Sequence, residues 1–260
     1  MATSAQWFVL SLLAASRGRA LSANALVRAG EVLGVSGNAM RVALSRLSAS
    51  GDIVVQGRGR YALPERRRQA VAHVRRYRQG FLPRVKWSGR FVGVLTAELS
   101  RRSTTDVARR ERALQLAGFR HFAHGLWLRP GNLEGGAHAL ARQVKALGFD
   151  QRADVIEVTL DTAQQRAFAR SYDIAADQKR ARALLRRVQH FLRAFSKLPP
   201  REVAKESFFL GDEVLRFLAR DPLLPEQLAD ARPREALAAA MEALDERAFA
   251  VWQTLLKETP

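Results

Sequence analysis

The order of periodicities along the chain predicts an α+β protein in three parts: a winged helix-turn-helix, a ferredoxin-like α+β unit and an all-α carboxyl-terminal domain. Three observations lead there. A helix of small and basic residues runs into an arginine-tipped hairpin within the first 63 residues, strand and helix patterns alternate from Trp87 to Asp161, and helical spacing alone follows Thr162. The boundaries expected are 1–63 for the reader, 64–86 for a basic helical connector, 87–161 for the middle domain and 162–260 for the helical domain.

Residues 5–16 and 22–33 carry the spacing of two helices, and Gly34, Val35 and Ser36 then form a compact turn. The Ser36 hydroxyl can cap the helix that follows, which ends near Gly51. Within that helix Met40, Leu44 and Leu47 recur at intervals of four and three, which places them on one stripe facing a core. The opposite face carries Asn38, Arg41, Val42 and Ser45 with Arg46 at its flank. Those residues are small, polar and cationic enough to enter a DNA major groove, where Asn pairs with adenine and Arg with guanine or phosphate. Ile53 to Leu63 reads as a hairpin with a glycine-rich turn, and Arg58 and Arg60 make that turn a basic wing. The competing reading, an ordinary helical hairpin with a solvated face, is weakened by the wing and by the charge around it.

The net charge is +18, and residues 1–90 hold 16 lysines and arginines against three acids, a net of +13. Basic residues gathered on one module imply a polyanion, because their binding releases phosphate counterions. Membrane-surface binding is the competing explanation, but no strongly amphipathic anchor accompanies the arginines. The apolar run Trp7 to Ala15 has about the length of a signal peptide without its basic start or cleavage site, so it is expected to be the first reader helix, packed on the Met40 stripe. No run approaches the roughly 18–20 apolar residues of a membrane span, and a cytoplasmic location is expected. Cysteine is absent, so disulfides, thiolate metal sites and cysteine nucleophiles are excluded.

The connector carries Arg66, Arg67, Arg68, Arg75, Arg76 and Arg78, read as a solvated face rather than as phosphate contacts. In the middle unit Phe91–Leu95, Phe122–Leu128 and Val155–Leu160 read as strands, with helices at Asp106–Ala117 and Ala137–Leu147. That order suggests a split βαβ, ferredoxin-like sandwich. Helices are expected at Thr162–Ser171, Ile174–Phe195, Arg201–Ala219 and Arg234–Lys257, with prolines near their ends.

Little in the sequence points to catalysis, and the chain is not expected to be an enzyme or to hold a metal or cofactor. The five histidines lack zincin spacing, and His124, alternating with Phe122, Leu126 and Leu128, is read as a partly buried strand residue. Gly131–Gly136 lacks the lysine of a P-loop, so it is read as a flexible turn. Nucleophile elbows and dinucleotide fingerprints are missing. The alternative is a metal-dependent nuclease that uses a winged helix for targeting; it requires carboxylates at the end of the first middle-domain strand, where only Glu98 and Asp106 stand near.

The segments AMRVALSRLSASGDI, GRGRYAL, WSGRF (Trp87 to Phe91), RRERALQLAGF, HGLWLRP and ARDPLLPEQL (Ala219 to Leu228) together resemble the PaaX-like family of bacterial transcriptional regulators, named for the repressor of phenylacetate degradation genes. The resemblance implies a dimeric repressor of a catabolic operon, with Arg41 and Arg46 on the reader and Arg58 and Arg60 on the wing. It also implies release from DNA on binding an aryl acyl-CoA thioester. The middle domain of such proteins is similar to small CRISPR-associated ferredoxin-like nucleases, which is what keeps the enzyme alternative open. Where the family often has a histidine and two basic residues this chain has Asp212, Leu215 and Arg216, and a Trp-Asp-Leu pattern is Tyr172, Asp173, Ile174. These departures leave the effector's identity open. Cations of the helical part, Lys179, Arg180, Arg186 and Arg187, are candidates to hold its phosphates.

Overall fold

The computed structural model describes residues 4–57, 59–65, 67–68, 83–100, 102–149 and 154–256. The chain forms two compact units, one of Met1–Arg75, His190–Asp212 and Met241–Pro260, the other of Arg76–Gln189 and Glu213–Ala240.

The first unit begins with α1 (Ala5–Ala15), β1 (Leu21–Ser22), α2 (Ala23–Val32) and α3 (Gly37–Ala49). Each helix starts where a serine hydroxyl accepts the amide three residues on: Ser4 from Trp7, Ser22 from Ala25 and Ser36 from Ala39. Phe8, Val9, Leu12 and Leu13 of α1 pack with Leu26 of α2 and with Met40, Ala43, Leu44 and Leu47 of α3, so the apolar run at the start of the chain is core. The α2 and α3 backbones approach closely. A Cβ on Gly30 would overlap the Met40 side chain, so Met40 occupies the space that glycine leaves.

Strands β2 (Val54–Val55) and β3 (Arg60–Ala62) form the hairpin, and β1 joins it to give the antiparallel order β1-β3-β2. Gly57 and Gly59 take φ of +73° and +64° in the turn, the left-handed region that glycine enters without strain. Later segments complete the unit. From α8 (Pro200–Leu218), Phe208 lies 5.6 Å from Trp7 and 5.9 Å from Phe8 between ring centroids. From α9 (Arg232–Leu256), Trp252 meets Phe208, while Asp245 accepts from Arg17 at 2.9 Å and Phe249 lies under the Arg17 guanidinium at 3.9 Å.

The second unit contains β4 (Phe91–Leu95), α4 (Thr104–Leu116), β5 (Arg120–Ala123), β6 (Leu126–Pro130), α5 (Gly136–Ala146) and β7 (Asp154–Val158). Its sheet is antiparallel in the order β5-β6-β4-β7, which is the ferredoxin-like arrangement of a βαββαβ chain. The single strand expected over Phe122–Leu128 is instead the hairpin β5–β6. His124 and Gly125 turn it with φ of +48° and +77°, so His124 is an exposed turn residue rather than a partly buried strand one. Gly125 is needed there: a Cβ would meet the Ala97 backbone at 2.8 Å, and its carbonyl accepts both the amide and the hydroxyl of Thr96.

Alternation divides the sheet's two faces. Val92, Val94 and Trp127 pack under α4 and α5 with Leu114, Leu140 and Val144, whereas Phe91 and Leu128 face Phe168, Tyr172 and Leu224. Phe168 comes from α6 (Thr162–Ala169), which opens on a capping box between Asp161 and Gln164. α7 (Ile174–Ala194) follows, starting with the Ala176 amide donating to Asp173. The helical residues 190–212 and 241–256 group with the first unit and those at 162–189 and 213–240 with the second.

The Asp221-Pro-Leu-Leu-Pro-Glu stretch is tied to the middle sheet through a buried cation. Arg129, 2% exposed on β6, donates to the carbonyls of Ala117 and, at 3.2 Å, Pro222. Asn132 beside it donates to the Leu223 carbonyl at 2.7 Å and accepts from Arg129 at 3.4 Å. Burial brings the Arg129 guanidinium down to about 10 and pushes the Tyr172 phenol up to about 12, while the Tyr172 hydroxyl donates to the Gly118 carbonyl at 2.9 Å.

Candidate nucleic-acid interface

Burying Met40, Ala43, Leu44 and Leu47 leaves α3 with one outward face, and Asn38, Arg41, Val42, Ser45 and Arg46 are all exposed on it. Arg41, Val42 and Ser45 lie three, four and seven residues after Asn38, so the four form one row along the helix. Val42 is 42% exposed, an apolar side chain that nothing in the core requires to be there. Ser36 is also exposed, but its hydroxyl is engaged as the cap of α3. Arg46 lies in the last turn of α3, where a cation is favoured by the helix dipole.

Between α3 and the sheet runs a groove lined by Ala23, Arg41, Ser45, Ser48, Ala49 and Tyr61. Sequence reasoning did not assign Ser48 and Tyr61 to the reader. Ser48 was visible as the next step of the Arg41 and Ser45 row, whereas the place of Tyr61 depends on its pairing with Leu21 and Val55 across the sheet.

The wing is anchored at its base. Arg60 is exposed, and one of its guanidinium nitrogens donates to the Ala20 carbonyl at 2.8 Å, while the Ala23 amide donates to the Gly59 carbonyl at 3.0 Å. Arg58 lies outside the described residues, as do Arg66, Arg75, Arg76 and Arg78 of the connector. Arg67 forms an ion pair with Asp52, and Arg68 pairs with Glu65 at 2.6 Å, so both of these cations already have acidic partners.

In the second unit, Glu98 is exposed after β4, and Asp106 in the first turn of α4 pairs with Arg109 at 2.9 Å. Among the described residues, no group of three or more His, Asp or Glu side chains is placed to hold a metal ion. On α7, Lys179, Arg180 and Arg186 are exposed, and Arg187 is bound to Glu213 at 2.6 Å. Among the described residues no helix is long and apolar enough to cross a membrane.

Residues 4–67, which include α1 to α3 and the β2–β3 hairpin, match the family model described as PaaX-like protein. No curated protein matches the chain. Among solved structures, an uncharacterized protein, Rv0674 from Mycobacterium tuberculosis, is similar with a TM-score of 0.64 over 96% of this chain and 99% of that one, at 20% identity. That likeness extends the shared α+β fold along nearly the whole length.

Proposed function

From the placement of residues 4–67 with the PaaX-like family, whose members are generally transcriptional regulators, we propose that this protein binds duplex DNA through α3 and the β2–β3 wing and acts as a dimeric repressor of a catabolic operon. The observation that carries this reading is the exposed row Asn38, Arg41, Val42 and Ser45 on a helix whose other side is fixed in the core. Such a row can present donors, an acceptor and an apolar contact to base edges. The charge of residues 1–90 supplies the attraction to phosphate. A repressor of this kind works in the cytoplasm.

Selection of duplexes from a random pool tests the reading without knowing the operator. Enrichment of one partly palindromic site is expected, since a two-fold protein meets a two-fold site. A pool that stays random after several rounds overturns it. On the selected site, Arg60→Ala is expected to weaken binding and to lower the slope of log affinity against log salt by about one, if the wing cation meets a phosphate. Fluorescence anisotropy across a salt series reads that slope, and an unchanged slope removes Arg60 from the contact.

The effector in this proposal is an acyl-CoA thioester, whose phosphates would be held by Lys179, Arg180 and Arg186 of α7. Calorimetry with aryl acyl-CoA compounds, with and without the selected DNA, measures both sides of the linkage. A 100-fold loss of DNA affinity corresponds to a coupling of about 2.7 kcal/mol, and DNA must weaken the thioester by the same factor. Absence of thioester binding removes the effector and leaves the DNA reading intact.

A further inference from the structure

The second unit contains a small open cleft walled by Ile174, Asp177, Phe217, Asp221, Leu224 and Arg234 among others. Two opposite charges in it are held just apart. Asp221 is largely buried, and its Oδ1 accepts the Leu223 amide at 2.7 Å. Its Oδ2 lies 3.9 Å from Arg234 Nε, beyond hydrogen-bond reach. The Arg234 side chain is only 15% exposed, and its Nη2 is likewise 3.9 Å from the nearest oxygen of Glu235.

Burial pushes the Asp221 carboxyl up and the Arg234 guanidinium down from their ordinary ranges, and the Asp177 charge raises Asp221 further. A buried ion pair stands on good geometry and made hydrogen bonds, and this pair lacks the bond between its members. Two further charges near the pair are matched elsewhere, while Arg180 lies 6.0 Å from the Phe217 ring and acts on Asp177. Asp230 takes two hydrogen bonds from the Arg232 side chain, at 2.9 and 3.0 Å, and Arg84 is bound to Glu235.

We propose that this cavity binds a small zwitterion of the α-amino-acid type with an aliphatic side chain, its ammonium between Asp221 and Asp177 and its carboxylate on Arg234. Asp221 and Arg234, 3.9 Å apart and not hydrogen-bonded to each other, then each receive a partner of opposite sign. Ile174, Phe217 and Leu224 give the side chain an apolar wall. A coenzyme A thioester has the wrong charge for this place, since its phosphates would meet the carboxylates of Asp177, Asp221 and Asp230.

Isothermal titration calorimetry of the full chain with L-leucine, 3-methylbutylamine and 4-methylpentanoate tests it, because the two analogues lack the carboxylate and the ammonium respectively. Saturable binding of leucine is expected, with each analogue and the Asp221→Asn variant at least about tenfold weaker. Asparagine keeps the oxygen that accepts the Leu223 amide, and circular dichroism melting checks that the variant is folded. Asp177→Asn, at an exposed position that tolerates exchange, is a second variant expected to weaken leucine. No saturable heat from leucine up to about 10 mM overturns the proposal. So does an analogue that binds as tightly as leucine, or an Asp177→Asn protein that binds leucine as the wild type does.

Discussion

Replacing Arg129 with methionine is expected to destabilise the βαββαβ unit by about 3–5 kcal/mol. Methionine fills much of the volume but offers no donor. The carbonyls of Ala117 and Pro222 and the amide oxygen of Asn132 would then lose their buried partner. Each unsatisfied buried acceptor costs about 1–3 kcal/mol, partly recovered by removing a charge from a dry site. Arg129→Lys keeps the charge without the planar fork and is expected to lose less. Urea unfolding followed by circular dichroism measures both, and a loss below about 1 kcal/mol for the methionine variant would mean that the clamp on the Pro222 segment contributes little.

Met40→Ala is the second large effect, expected to cost the reader unit about 2–5 kcal/mol. Met40 is fully buried and lies against Gly30, so truncation opens a cavity where α2 and α3 cross. Gly30→Ala attacks the same crossing from the other side and has the opposite fault, overpacking. If the two faults compensate, the double variant Met40→Ala with Gly30→Ala should be more stable than the sum of the single losses, because the added methyl enters the space vacated. Additivity in a thermal or urea cycle would show that the two positions do not share that space.

The parts of the fold legible in the sequence were those with local causes. Met40, Leu44 and Leu47 announced the buried side of α3 by spacing, and Ser36 announced where that helix begins. The β5–β6 hairpin escaped because Phe122, Leu126 and Leu128 keep an alternating pattern through the turn, and His124 is an uncommon residue at positive φ. Arg129 was illegible for a different reason. Two of its acceptors come from residues 117 and 222, far apart in sequence, and no local pattern marks an arginine for burial. The same holds for Phe208 and Trp252, whose helical spacing was plain while the contacts of Phe208 with Trp7 and with Trp252 were not.

For the reader, the exposed row on α3 was legible in full, because a helix with one buried stripe fixes its opposite side. Ser48 and Tyr61 were missed: the groove they line is a product of the sheet pairing that brings β3 beside β1. The Asp221 and Arg234 cavity could not be read at all, since its walls come from three separate helical segments and the loop between two of them.

The most direct test of the central claim, that the outward face of α3 reads DNA, is the affinity of Arg41→Ala for the selected duplex and for a scrambled duplex of the same length at one salt concentration. Loss of one base-edge contact is expected to cost about 1–3 kcal/mol on the selected site and much less on the scrambled one, so the ratio of the two affinities falls by roughly 5- to 150-fold. A ratio equal to that of the wild type, with both affinities unchanged, would contradict the account at its central residue and remove Arg41 from the reader.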